Sequence, residues 1–100
     1  MSQWYLDVSR FLGVITHVTV RDRAYDLDER WASFDLVVEP SVARKKRMVR
    51  AIVDNVGRVM FGFSYTGFRL NATLFLGHTQ QRVAVVTVEP QAKGFKVEVF

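Results

Sequence analysis

The chain has 100 residues, 49% hydrophobic and 24% charged, with a net charge of +4 and no cysteine. That length supports one domain over residues 1–100 with a modest core, and the apolar content excludes a disordered chain. Disulfides and thiolate metal sites are excluded, no apolar run approaches the roughly 20 residues of a membrane helix, and no signal-peptide layout opens the chain, so a cytoplasmic protein is expected.

Trp4, Tyr5, Val8, Phe11 and Leu12 fall on one side of a helical wheel. This predicts a short first helix, capped by Ser2 and ended by Gly13, with a strand as its rival. Val14 to Arg21 then alternates, with Val14, Thr16, Val18 and Val20 on one side, and predicts a strand. Asp22 to Arg30 reads as a polar turn. Trp31 to Glu39 predicts a second strand with Ala32, Phe34, Leu36 and Val38 inward, stopped by Pro40.

Ser41 to Phe61 predicts one amphipathic helix, started by Ser41 and ended before Gly62. Met48, Val49, Ile52, Val53, Val56, Val59 and Met60 form its apolar stripe. Gly57 lies inside it and weakens it by about 1 kcal/mol relative to alanine. Lys46, Arg47, Arg50 and Arg58 fall away from the stripe, Arg44 borders it, and Lys45 falls on the apolar side and must snorkel. These six cations face a single carboxylate of the same stretch, Asp54. Cations at a helix N-terminus oppose the macrodipole by roughly 0.3–1 kcal/mol, so they do not serve the helix itself. Three explanations follow: plain solvation, a polyanionic ligand, or an acidic protein partner.

Three further strands are predicted: Phe68 to Leu76, Arg82 to Glu89 and Phe95 to Phe100, joined by turns at 77–81 and 91–94. The expected fold is α+β, in the order α-β-β-α-β-β-β: an antiparallel sheet of about five strands with helices packed on one face. Leu36-Val37-Val38-Glu39-Pro40 is echoed by Val86-Thr87-Val88-Glu89-Pro90, which suggests that an α-β-β unit is used twice.

Phe61-Gly62-Phe63-Ser64-Tyr65 resembles the aromatic core of the RNP1 element of RNA-recognition motifs. The likeness covers five residues. Val59 and Met60 stand where that element has a basic residue and glycine, Ser64 where it has an aliphatic one, and the order of elements differs, so the family does not follow. A continuous strand from Phe63 to Leu76 would place Phe63, Tyr65, Arg69, Asn71, Thr73 and Phe75 on one face. Phe63, Tyr65, Arg69 and Phe75 are thus candidates for base stacking or for an interface, provided Gly67 hosts no bulge.

Support for catalysis is thin. The acidic residues of 22–29 lack the ligand spacing and sharp-turn glycine of a calcium loop. Asp35 and Glu39 share a strand face, but no lysine follows at the second position after Glu39, as a metal nuclease would require. His17 and His78 lack a nearby third ligand, and neither a serine-nucleophile nor a phosphate-loop motif occurs. The expectation is therefore a small non-enzymatic nucleic-acid-binding domain, without cofactor, metal, membrane or small-molecule substrate. It contacts phosphates of DNA or RNA through Arg44, Lys46, Arg47, Arg50 and Arg58. The alternative is a protein-interaction or assembly subunit (an inhibitor, adaptor or viral component). It would act as a homodimer or with a protein partner through the open sheet face and the C-terminal strand.

Overall fold

Three antiparallel hairpins and one helical crossover dictate the sheet. Strands β1 (Val18–Asp26) and β2 (Trp31–Val38) are joined by a four-residue turn and pair antiparallel. Antiparallel pairing also joins β3 (Arg69–Leu76) to β4 (Arg82–Val88) across residues 77–81, and β4 to β5 (Lys96–Val99) across residues 89–95. Between β2 and β3 the chain leaves the sheet through helices, and that long connection lets these two strands pair parallel. The sheet runs β1-β2-β3-β4-β5. The computed structural model describes residues 3–91 and 93–100. The expected α+β class and element order hold, with one parallel pair in a mostly antiparallel sheet.

Helix α1 (Gln3–Gly13) forms where its stripe predicts, and the strand alternative fails. The expected cap Ser2, and Ala92 of the last turn, lie outside the described residues. Tyr5, Val8 and Leu12 join the core with Ala32, Phe34, Leu36 and Val38 of β2, Leu70, Ala72 and Leu74 of β3, and Ala84, Val86 and Val88 of β4. Val49, Ile52, Val53, Val56 and Met60 complete it. Both helical layers therefore cover the same sheet face.

Three expectations need correction. The first strand begins at Val18, not Val14, and continues through Asp26 into the stretch read as a polar turn, of which residues 27–30 form the turn. A bulge between Val20 and Asp22 shifts the alternation, so Arg23 and Tyr25 face the helices. Arg23 donates to Ser9 Oγ at 2.9 Å, and the Tyr25 ring lies 4.5 Å from that of Tyr5. Residues 22–26, read as part of the turn, are thus strand residues, and Arg23 and Tyr25 among them have inward partners.

The second correction concerns the central helix. It is two helices, α2 (Pro40–Ala43) and α3 (Lys46–Phe61). Pro40 occupies the first turn of α2, where its missing N–H costs nothing, and Glu39 rather than Ser41 precedes the helix. Lys45 is extended at φ −97°, ψ 102°. The break falls within the run of four cations and leaves Lys45 exposed, off the apolar face of α3.

Third, the repeated α-β-β order does not make two copies of one unit. β1 runs antiparallel to β2, which is parallel to β3, so β1 and β3 point in opposite directions while both helices share a face. No rotation superposes the two units.

Candidate functional site

The cations of the α2–α3 segment occupy one border of the helical layer. Arg44 ends α2, Lys46 and Arg47 open α3, and Arg50 lies one turn after Lys46. Arg58, eleven residues after Arg47, returns to nearly the same side after three turns. All five are exposed. Among the described residues the one close pairing of a basic with an acidic side chain joins His17 Nδ1 to Glu39 Oε2 at 2.8 Å, and involves none of these five cations. None of the five cations is held within 4.0 Å of a carboxylate there. The start of α3 carries no acidic residue in its first turn and no side-chain cap, so its own positive pole adds to their field.

The stripe is not turned squarely away from the sheet. Arg44, Lys46 and Arg50 line an open groove of about 650 Å³ between α3 and β5, with Asp54 further along. Its floor is apolar: Val49 and Val53 of α3, Val83 of β4, and Val97, Val99 and Phe100 of the C-terminal segment. The opposite flank of α3 meets α1 and carries no cation. The alternating valines of β5 hinted at such a floor, but that the helix leaves them open is visible only in three dimensions.

Phe95 sets the groove's other end. Its ring lies where a Cβ on Gly57 would stand, so this glycine is what lets β5 approach α3. The helix-weakening glycine thus has a packing reason.

The expected aromatic face is not assembled. β3 begins at Arg69, while Ser64–Thr66 form a 3₁₀ turn and Gly67 turns the chain at φ 75°. Phe63 and Tyr65 therefore do not share a strand face with Arg69 and Phe75. Phe63 packs 6.1 Å from Phe11 at the helical layer, and Tyr65 stands beside it, 75% exposed. The five residues resembling RNP1 lie at the end of α3 and in this turn, not in the sheet. Phe75 is buried, and Arg21 stacks its guanidinium 4.0 Å over the ring while donating to Thr79 O at 2.9 Å.

The open sheet face is instead mostly rows of short polar side chains. Ser33, Asn71, Thr87 and Lys96 form one row, and Asp35, Thr73, Val85 and Glu98 the next. Trp31 sits opposite Arg69 at the margin, and Asp22 opposite Asp35. Glu39 lies beyond β2, bonded to His17, so it does not share a strand face with Asp35. Among the described residues no three His, Asp or Glu side chains converge as a metal site would require. No helix there is long and apolar enough to cross a membrane.

Burial raises the Tyr5 phenol above its ordinary value near 10, although the Arg23 guanidinium opposes the shift. Comparison with protein-family models, with curated proteins and with solved structures finds no match for this chain.

Proposed function

We propose that the chain is a non-enzymatic, cytoplasmic nucleic-acid-binding domain that neutralises phosphates with Arg44, Lys46, Arg47, Arg50 and Arg58. One observation carries this reading: five exposed cations lie along one stripe and, among the described residues, have no carboxylate partner. From Lys46 to Arg58 the stripe is about 18 Å long at 1.5 Å per residue. That length spans about five phosphate steps at 3.4 Å each along one strand. Such contacts position a protein without reading bases, so weak sequence preference is expected.

The test is fluorescence anisotropy with single- and double-stranded DNA and with RNA, across salt. Five neutralised phosphates give a slope of log K on log salt of about −4.5 for duplex DNA and about −3.5 for a single strand. Replacing Lys46, Arg47 and Arg50 together by glutamate should abolish binding in a protein that still folds. Unchanged affinity in that variant refutes the reading.

A second reading, a protein-interaction subunit, is favoured by a separate observation. All four residues of β5 are exposed, and Val97, Val99 and Phe100 are 41%, 65% and 55% accessible. An edge strand with open valines is a site for strand addition. The polar rows of the open sheet face favour a wet contact there at most. Resistance to binding DNA and RNA at low salt, together with a stable complex with another protein, would select this reading over the first.

A further inference from the structure

We propose that the groove between α3 and β5 receives an extended acidic segment of a partner protein as a sixth strand of the sheet. The inference rests on the second reading above and gives it an occupant. Phe100 N–H donates to Val83 O at 3.0 Å. Backbone groups in an antiparallel ladder alternate between the paired strand and the outside. Lys96 and Glu98 therefore share the inward orientation of Phe100, and the N–H and C=O groups of Val97 and Val99 face solvent. The side chains of these two residues are also the ones that line the groove. A strand added antiparallel pairs with both. Its residues opposite Val97 and Val99 then enter the groove beside Val49 and Val53.

Charge fixes the remaining chemistry. Phe95 lies over Gly57. Val99, four residues later, is about 13 Å further along the strand, the length of roughly nine helical residues. It therefore stands level with the first turn of α3. Arg44, Lys46 and Arg50 border that end of the groove and Asp54 the middle. The fitting segment has two apolar residues at alternate positions and a carboxylate two residues before them, beyond Val99. A second copy brings the same net charge of +4 and a pairing strand of only four residues. A nucleic acid has no peptide groups with which to satisfy Val97 and Val99.

The probe is the peptide acetyl-Glu-Glu-Val-Thr-Val-Thr-amide at about 1 mM, roughly ten times a Kd of about 0.1 mM. The readout is residue-resolved amide hydrogen exchange of the full chain. The Val97 and Val99 amides should slow about tenfold or more, with little change at Lys96 and Glu98. The protection should vanish in Val97→Pro, which removes an outward N–H while leaving the β4 ladder intact, and weaken in Val99→Lys. A peptide with lysines in place of the glutamates should protect weakly. Equal protection by that control overturns the acidic partner. Protection that grows with protein concentration alone assigns the edge to a second copy, and protection by an oligothymidylate assigns it to nucleic acid; either overturns the proposal. Peptide-induced shifts confined to the Ser33 and Asp35 rows overturn the groove but leave the protein-interaction reading standing. No response anywhere overturns the groove and removes its support for that reading.

Discussion

Replacing Gly57 by alanine should destabilise this protein, although alanine is the better helix former. On propensity alone, Gly57→Ala in the interior of α3 gains about 1 kcal/mol. The new methyl, however, would sit inside the Phe95 ring. Overpacking of this kind costs about 1–3 kcal/mol. The net change is a loss of about 1 kcal/mol, equivalent to about 4–8 °C in Tm for a domain of this size. With Phe95→Ala as background the obstruction is gone, and the same substitution should stabilise by about 1 kcal/mol. The coupling between the two positions is then about 2 kcal/mol, large for a single pair. Urea denaturation of the four proteins of this cycle measures it. Stabilisation by Gly57→Ala with Phe95 present would refute the packing, and with it the argument that Phe95 anchors β5 on the helix and fixes the groove's closed end.

Phe34→Ala removes the largest fully buried side chain and should cost about 3–5 kcal/mol, enough to unfold much of a domain this small, as circular dichroism would show. Because burial holds the Tyr5 phenol above its ordinary value, the unfolded chain releases this proton first as pH rises. The stability linked to it is therefore intact below pH 10 and lost above it, and urea melts at pH 9 and 11 should show a fall that Tyr5→Phe reduces. The triple glutamate variant at Lys46, Arg47 and Arg50 should melt at a higher temperature than the parent at low salt, by about 0.3–1 kcal/mol for each charge in the first turn. The gain should fade at 1 M salt, where the Debye length is about 3 Å.

The sequence revealed the inward faces well and the element ends poorly. Ala32, Phe34, Leu36 and Val38 alternate without interruption, and all are buried, because an uninterrupted ladder preserves the period of two. Where a bulge inserts a residue, that period breaks. β1 was misplaced because the shift after Val20 moves Arg23 and Tyr25 inward, and an arginine followed two residues later by a tyrosine does not resemble a core face. The helix break at Lys45 was hidden for another reason. The apolar stripe begins only at Met48 and so tests no helical continuity across Lys45, and only the side on which Lys45 would fall gave a sign of trouble. The expected face uniting Phe63 with Phe75 failed at Gly67, whose left-handed φ marks a turn that sequence could equally assign to a bulge. Of the candidate site, the five cations were legible as a stripe. Their lean toward β5 was not, because it depends on how far α3 covers a strand 35 residues away.

The placement of that stripe is difficult to explain as a device for folding. Cations at the start of α3 oppose its dipole, and no acidic first-turn residue offsets them. Were they mere solubilising charge, they could occupy the last turn of α3, where the dipole favours cations. Arg44, Lys46 and Arg50 stand instead where the sheet ends without cover, over valines that a fully packed domain would bury. An uncovered strand edge is ordinarily a hazard, and nearby like charge is one means of keeping copies of a chain apart. The same charges attract a ligand of opposite sign. Repelling its own kind and admitting an anion are thus two consequences of one arrangement, and the variants that separate outward-facing Arg47 and Arg58 from the edge residues Val97 and Val99 distinguish phosphate contact from strand addition.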